Sequence, residues 1–204
     1  LEAKNVRLKE NWRGWKADAY EGGHRVPFIV RWPGKIKANT RSDQTISLAD
    51  IMATCADIID LELPANAAED SVSLLPVLIG KKVDGSLHEL VIHHSISGHF
   101  AVRIGKWKLL LCRGSGGWSS PREAVAAKQK LPMLQLYDLE KDPRETENLH
   151  DKYPDKVAEL VNALAKAIAE GRTTPGPRQA NQGWPNTIPQ PILKRFPQLT
   201  ARKK

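Results

Sequence analysis

The chain has 204 residues, which is enough for one ordinary domain or two small ones and excludes a large multidomain assembly. Its hydrophobic share of 41% and charged share of 26% are typical of a folded protein rather than a disordered or fibrous one. The longest unbroken apolar runs are far too short to cross a bilayer, so no membrane span is predicted. Two cysteines are too few for a disulfide scaffold or a four-thiolate metal site.

The formal net charge of +8 is concentrated in the tail, which we define as residues 171–204. A nucleic-acid-binding protein usually carries its positive charge as a patch on the folded body, interleaved with exposed aromatic residues. That pattern is absent from the sequence, so no nucleic-acid partner is expected. The tail contains no acidic residue and the following basic ones: Arg172, Arg178, Lys194, Arg195, Arg202, Lys203 and Lys204.

The first third of the chain predicts a loop, a strand and a helix. Residues 1–24 are polar without a lasting period, which indicates a loop. Residues 25–32 form a β-prone apolar run before a Pro-Gly pair, which predicts a buried strand ending in a turn. Residues 47–61 repeat apolar side chains at helical spacing, with Ser47 and Asp50 placed to cap the helix. We expect the apolar stripe of this helix to face a core, with Cys55 as a small buried hydrophobic residue. The stripe consists of Leu48, Ile51, Met52, Cys55, Ile58 and Ile59.

The second half predicts a small antiparallel sheet followed by a long helix. Gly105 and Lys106 provide a tight connection between two of the strands. Residues 113–132 indicate a surface excursion with a short helix, and the stripe of residues 153–170 predicts a helix that ends at Gly171. The prolines of the tail argue against a helix there. The four β-prone runs are residues 90–94, 100–104, 107–112 and 134–139.

Tryptophans can serve either a core or a substrate wall. Trp32 and Trp107 fall in strand patterns and are expected in the core. Trp12, Trp15 and Trp118 lie in loops, which makes them the better candidates for a wall against a substrate.

Residues 16–27 concentrate side chains suited to an anion. A lysine, a glutamate, two glycines, a histidine and an arginine precede the first predicted strand, and loops at strand ends commonly build sites. Glycines let a backbone approach a ligand closely, and lysine and arginine neutralise an anion. The same composition also fits a Gly-Gly turn with solvated charges, so composition alone leaves both interpretations open.

A series of short motifs runs through the chain in a fixed order. Tyr-Glu-Gly-Gly at residues 20–23 is followed by Arg-Val-Pro and then by Arg-Trp-Pro-Gly at residues 31–34. Further motifs occupy residues 47–50, 71–76, 101–109 and 136–149. Over roughly residues 12–170, this series resembles the second half of the sulfatases, the arylsulfatase-like branch of the alkaline phosphatase superfamily.

The resemblance implies hydrolysis of sulfate esters by a formylglycine nucleophile, made from Cys or Ser, beside a calcium ion. Neither Cys55 nor Cys112 lies in the motif from which formylglycine is made, and the aspartates that bind calcium in the family are missing. We therefore expect a C-terminal fragment that is inactive alone, with calcium and formylglycine on a missing N-terminal part. The first residue, Leu1 rather than Met, agrees with a fragment. Family habit implies a periplasmic or secreted enzyme.

Four residues are expected at the site. Lys16 stands four positions before Tyr-Glu-Gly-Gly, where the family has a catalytic lysine that contacts the sulfate. The sequence departs from the family at Asp18, which puts an anion near the presumed anion site. His24 can reach the substrate from the rim of the pocket, or hydrogen-bond to the loop backbone. His93 and His94 end a predicted strand that sends one imidazole to each face, so one of them can contact the substrate.

These observations predict an α/β fold in three parts. Residues 1–85 are expected to be the trailing part of a larger α/β domain, residues 86–170 a small antiparallel sheet with a packed helix, and residues 171–204 a Pro-rich basic tail. The predicted activity is hydrolysis of an aryl or carbohydrate sulfate, and the predicted partners are a sulfated small molecule or carbohydrate and the missing part of the protein. One alternative is a phosphodiesterase or phosphonate hydrolase of the same superfamily. Another is a non-catalytic module whose tail binds a polyanion such as a sulfated polysaccharide.

Overall fold

The computed structural model describes residues 12–181 and 188–200. No helix within these ranges has the length and apolar content of a membrane span. The described elements, in chain order, are α1 (Glu21–His24), α2 (Asp50–Ile58), α3 (Leu75–Leu78), β1 (Val91–His94), β2 (Phe100–Ile104), β3 (Trp107–Leu110), α4 (Glu123–Lys128), β4 (Gln135–Asp138), α5 (Pro154–Glu170) and α6 (Gln190–Arg195).

The chain forms two compact units, each built from segments that are distant in sequence. Unit 1 contains the described residues up to Val26, then residues 92–165, and finally residues 188–200. Unit 2 contains residues 27–91 and 166–181. The predicted domain boundaries after residues 85 and 170 stay a prediction.

The sheet confirms the four predicted strands. Its strand order is β1-β2-β3-β4, and both the β2–β3 and β3–β4 pairings are antiparallel. Gly105 has a φ of +54°, a left-handed conformation that suits glycine in the tight turn between β2 and β3. Leu109 and Leu110 of β3 are fully buried. Buried apolar side chains of unit 1 form a core cluster of Ala19, Tyr20, Ala101, Leu110, Cys112, Tyr137 and Leu139.

Helix α5 is also confirmed, whereas the prediction for the tail is partly wrong. The stripe residues of α5 in unit 1, from Val157 to Leu164, are at most 2% exposed. The tail contains the short helix α6, with Pro191 in its first turn. Proline is tolerated at that position because the first backbone N–H groups of a helix have no partner within the helix.

The strand predicted at residues 25–32 is wrong. The segment forms no strand, and the side chain of Ile29 is 90% exposed. An apolar strand is buried when neighbouring strands and packed layers cover it. No strand among the described residues pairs with this segment, so its backbone has no sheet partner there. Trp32 and Trp107, both expected in the core, are only half-buried, and Trp107 contacts the ring of Tyr153 at 5.2 Å between centroids.

Helix α2 is present, but it buries its polar face. Asp50 is fully buried and accepts hydrogen bonds from the backbone N–H groups of Ser47, at 2.7 Å, and Val72, at 3.0 Å. His88, itself buried, is 2.9 Å from the same carboxylate. The predicted cap at Ser47 is wrong, because α2 begins at Asp50 with Ala49 as its N-cap residue, although Asp50 does reach back to the backbone of Ser47 as in a capping box. The predicted burial of the apolar stripe is wrong, since Cys55 is exposed together with Ile51, Met52 and Ile58.

Residues 171–181 form a strap along the loop of residues 65–70. The buried guanidinium of Arg172 donates hydrogen bonds to the carbonyl groups of Ala65, Thr174 and Pro177. The backbone N–H of Thr173 donates to Asp70 at 2.8 Å. Hydrogen bonds therefore hold this part of the tail to the loop of residues 65–70 within unit 2.

The strap predicts that Arg172 matters for stability and that Arg178 does not. Arg172→Ala should lower the free energy of unfolding by about 2–3 kcal/mol, because several hydrogen bonds to a charged donor are lost. Arg178→Ala removes the same charge at an exposed position and should change it by less than about 0.5 kcal/mol. Urea denaturation followed by circular dichroism measures both. Equal effects of the two variants would contradict the strap.

Candidate active site

Lys16 lies on a loop that meets two other loops of unit 1. We call residues 12–24 the Lys16 loop, although its last four residues form helix α1, where the prediction of a loop for residues 1–24 is wrong. Its Ala17 carbonyl accepts a hydrogen bond from Ile96 at 2.9 Å, and its Ala19 N–H donates to the carbonyl of Ser115 at 2.8 Å. The side chain of Lys16 is exposed and makes no hydrogen bond or ion pair with any residue that the structure describes. An ammonium group is therefore presented to solvent where three loops converge.

The two glycines of the motif let the Lys16 loop approach itself. The N–H of Gly22 donates to the carbonyl of Arg13 at 2.7 Å, and a Cβ at Gly22 would lie 2.5 Å from the carbonyl oxygen of Gly14. A Cβ at Gly23 would collide with the carbonyl of Asp18. The glycines thus serve contact with the chain's own backbone, which is the turn interpretation that composition had left open.

A buried group of three charges holds the C-terminal end of the loop. Lys108 of β3 is fully buried, and its Nζ is 2.9 Å from a carboxylate oxygen of Glu21 and 2.9 Å from one of Glu145. The other carboxylate oxygen of Glu145 accepts the backbone N–H of Glu21 at 2.7 Å. One ammonium group therefore ties helix α1 to the sheet and to the loop after β4.

The pKa values of the two carboxyl groups move in opposite directions. Burial acts to raise the pKa of Glu21, but the hydrogen bond from His24 and the charge of Lys108 outweigh it, so this pKa lies well below its ordinary value. Burial raises the pKa of Glu145, and Lys108 does not fully offset that effect. Arg25 and Arg103 also face Glu21, at 3.2 and 3.8 Å. Glu21 is therefore the more firmly ionised of the pair.

Arg13 anchors the N-terminal end of the loop. Its guanidinium donates to the carbonyl of Glu145 at 2.6 Å and to the hydroxyl of Tyr137 at 3.3 Å. The same group lies 3.9 Å above the ring of Tyr20. Both ends of the Lys16 loop are consequently fixed near Glu145.

Asp18 fixes the middle of the loop and is not an open anion. It is 2% exposed. One carboxylate oxygen accepts the N–H of Trp15 at 2.8 Å, and the other accepts those of Trp118 and Ser119 at 2.8 and 3.0 Å. Burial acts to raise the pKa of Asp18, but these hydrogen bonds lower it below the ordinary value. Its ionised form is therefore stabilised by backbone N–H groups of two loops, and its oxygens are not open to solvent.

The three predicted histidines divide into a stacked pair and an exposed one. The rings of His24 and His93 lie 3.6 Å apart, and Nε2 of His24 is 3.3 Å from Glu21. His93 also contacts the carbonyl of Ala19 at 3.3 Å. His94 is exposed and hydrogen-bonds to the carbonyl of Ser95. Adjacent residues of β1 thus differ in their surroundings, as the alternation of a strand predicts, while their contacts with a substrate stay a prediction.

Two family models match the chain. Residues 13–116 match the C-terminal part of N-sulphoglucosamine sulphohydrolase, and residues 86–200 match the C-terminal region of aryl-sulfatase. Each match covers about half of the chain.

The chain belongs to the sulfatase family.

Individual sulfatases show how much of a complete family member is present. The N-acetylgalactosamine-6-O-sulfatase of Bacteroides thetaiotaomicron is 36% identical over 160 residues, which is 75% of this chain and 29% of that protein. Human steryl-sulfatase is 30% identical over 200 residues, which is 90% of this chain and 34% of that protein. A solved structure from B. thetaiotaomicron, described under the metabolism of multiple glycosaminoglycans, has a TM-score of 0.60 at 35% identity. It covers 76% of this chain and 32% of its own. The chain thus spans about a third of the length of its sulfatase relatives.

The described residues do not fit the calcium or the nucleophile that the sulfatase family implies. They include no group of three or more His, Cys, Asp or Glu side chains that could hold a metal ion. Both oxygens of Asp18 are already occupied by backbone N–H groups. Cys112 is buried, and burial raises the pKa of its thiol far above the ordinary value, whereas Cys55 is exposed on α2. Neither cysteine has the surroundings of an activated nucleophile.

Sequence reasoning missed the residues that hold the Lys16 loop. Lys108 and Glu145 lie in the motifs of residues 101–109 and 136–149, but those motifs were not connected with the site, and Arg13 lies in no quoted motif. A further signal was the charge of Lys108 inside the apolar run of residues 107–112, because a lysine on a buried strand requires an ionic partner.

The charge group predicts a large loss of stability when Lys108 is replaced. Lys108→Met should lower the free energy of unfolding by about 3–5 kcal/mol, because two buried carboxyl groups lose their shared counter-ion. Lys128→Met is the matched control, since Lys128 is exposed on α4. Chemical denaturation compares the two variants, and a loss below about 1 kcal/mol for Lys108→Met would contradict this role.

The stacked histidines predict a loss of stability in mild acid. Burial lowers the pKa of His24 and of His93 in the folded state, so the unfolded chain binds protons first. Their contribution is complete above the unfolded pKa of about 6.5 and is lost as the pH falls below it, by at most about 1.4 kcal/mol per pH unit for each histidine. Unfolding measured from pH 7.5 to 5.5 should therefore show a smaller pH dependence in His93→Gln than in the unsubstituted protein. Identical pH dependences of the two proteins would contradict the contribution of His93 to the acid sensitivity of the fold.

Proposed function

We propose that this chain is the C-terminal part of a sulfuric ester hydrolase and that Lys16 contacts the sulfate group of the substrate. The observation that carries the proposal is the exposed ammonium of Lys16 on a loop whose ends and middle are held by buried charges. The place of Lys16, four residues before Tyr-Glu-Gly-Gly in a sulfatase chain, supports the same role.

The proposed role of Lys16 is electrostatic stabilisation of negative charge in the transition state. As the sulfur–oxygen ester bond breaks, negative charge grows on the sulfuryl oxygens and on the leaving oxygen. A cation that is already in place stabilises this charge without reorganising, which contributes on the order of 3 kcal/mol in comparable preorganised sites. The anchors at Arg13, Asp18 and Glu21 keep the loop in one arrangement before the substrate arrives.

The nucleophile and the metal belong, in this proposal, to another part of the complete enzyme. A formylglycine supplies the attacking oxygen and calcium neutralises the sulfate in such enzymes, and the described residues fit neither group. The exposed apolar face of α2 and the 90% exposure of Ile29 support a larger protein, because extended apolar surface is normally covered. On this proposal the chain alone has no sulfatase activity. The family habit of export makes the periplasm or the cell exterior its proposed location.

The proposed substrate class is a carbohydrate sulfate. An aryl sulfate, which carries the same sulfate ester group on a different ring, is the alternative. The N-acetylgalactosamine-6-O-sulfatase relative supports the first choice. His94 is proposed to contact a hydroxyl or sulfate group because its side chain is exposed. His93 contacts the ring of His24 and the carbonyl of Ala19 in the Lys16 loop, so His24 and His93 are proposed to affect the substrate chiefly through the position of that loop.

The alternatives have weaker support. A phosphodiesterase or phosphonate hydrolase would use a similar anion site, and rates for matched sulfate and phosphate esters separate it from a sulfatase. A polyanion-binding tail has one fewer free cation than the sequence indicated, because Arg172 is buried and hydrogen-bonded in the strap.

The proposal predicts a selective loss of turnover when Lys16 is replaced in the complete enzyme. Lys16→Ala should lower kcat by about a hundredfold, because a preorganised charge is removed. Its melting temperature should not change, since the side chain is exposed without described partners. The assay follows the release of sulfate from N-acetylgalactosamine 6-sulfate and of nitrophenol from 4-nitrophenyl sulfate.

Lys152→Ala is the matched control, because Lys152 is also exposed and carries the same charge. It should retain the rate of the unsubstituted enzyme. An unchanged rate for Lys16→Ala would remove Lys16 from the site. Faster hydrolysis of matched phosphate esters would favour the phosphodiesterase alternative.

A further inference from the structure

Two tryptophans on either side of Asp18 present their indole rings to solvent. Trp118 is 55% exposed and Trp15 is 54% exposed. Tryptophan is usually buried over most of its surface, and its large ring gains free energy when another flat group covers it. Trp15 immediately precedes Lys16, so one of these rings adjoins the proposed sulfate contact in the chain itself.

One buried carboxylate brings the two tryptophans together. Asp18 accepts the N–H of Trp15 with one oxygen and the N–H of Trp118 with the other, each at 2.8 Å. The two residues are about a hundred positions apart in sequence. This single carboxylate group therefore holds the backbone of Trp118 beside the loop that carries Lys16.

The loop that carries Trp118 is fixed along its length. The carboxylate of Glu123 accepts the N–H of Gly114 at 2.7 Å, and the hydroxyl of Ser115 accepts that of Gly117 at 3.0 Å. Gly117 lies against the Lys16 loop, since a Cβ there would be 2.6 Å from an oxygen of Asp18. The sequence had suggested a surface excursion at residues 113–132, but residues 114–116 are buried. The exposed indole of Trp118 therefore stands on a rigid base.

We propose that Trp118 forms a stacking platform for the ring that carries the sulfate ester, with the sulfate directed to Lys16. The proposal deepens the proposed function and rests on it. The shared chemistry is the apolar face of a six-membered ring, which is the C–H face of a pyranose chair or the π face of an aryl group. Such a ring covers indole surface while its ester oxygen remains beside the ammonium group.

The test uses Trp118→Ala in the complete enzyme with two ring substrates and one probe that has no ring. For N-acetylgalactosamine 6-sulfate or 4-nitrophenyl sulfate, KM should rise about tenfold or more, because the stacked surface is lost. The inhibition constant of inorganic sulfate should stay within twofold, because sulfate meets Lys16 without a ring. Trp118→Phe should recover most of the affinity. Trp107→Phe, at a half-buried position against Tyr153, is the matched control and should behave as the unsubstituted enzyme.

Each outcome decides the proposal. A larger KM effect on the saccharide assigns the platform to sugars, and a larger effect on the aryl ester assigns it to aryl rings. Unchanged KM values for both substrates would overturn the platform, as would a parallel loss of sulfate inhibition and melting temperature, which would make Trp118 structural. If the unsubstituted enzyme cleaves neither ester, the proposed function fails. The platform can then still be tested by the quenching of tryptophan fluorescence on addition of the sulfated saccharide. Quenching in the unsubstituted enzyme that is absent in Trp118→Ala would support the platform, and no quenching in the unsubstituted enzyme would overturn it.

Discussion

The ammonium group of Lys108 is buried completely between two carboxylates, and it joins helix α1, strand β3 and the loop after β4. Removing such charges from water costs as much free energy as their attraction returns, so a buried ion pair adds little net stability. Its effect is on position, because each segment can move only by leaving an uncompensated charge behind. The geometry of the Lys16 loop depends on this constraint, since Glu21 lies at its C-terminal end and Arg13 contacts the backbone of Glu145 at the other.

Sequence periodicity predicted the four strands and helices α2 and α5 correctly as elements. Its assignment of the buried face is also correct for the leucines of β3 and β4 and for the stripe of α5, where the apolar side is covered by the chain's own core. The same reasoning misplaced residues 25–32 and the stripe of α2. A pattern shows that a face is apolar and does not show which molecule or segment covers it. In α2 the buried hydrogen bonds of Asp50 and Thr54 decided which face turned inward.

The site was predicted to a different extent. Lys16 was predicted from a motif, His24 from its place after the two glycines, and His93 and His94 from the end of a predicted strand, and each of these signals is local in sequence. The supporting contacts join Glu21 to residues 87 and 124 positions further along the chain, and no local pattern encodes such pairs. Asp18 illustrates the difference most clearly. In the sequence it was an anion close to an anion site, whereas in the structure its charge is taken up by three backbone N–H groups.

The balance of charge explains how a loop with two carboxylates can present a cation. Asp18 accepts hydrogen bonds from backbone N–H groups, and Glu21 is paired with Lys108 and Arg25 and hydrogen-bonded to His24. Arg13 is occupied by a carbonyl and an aromatic ring. Within the described part of the loop, the ammonium of Lys16 is the one charge without a described ionic or hydrogen-bonding partner. Because the two acids of the loop are buried in these contacts, Lys16 is the charged side chain that the described part of the loop exposes to solvent.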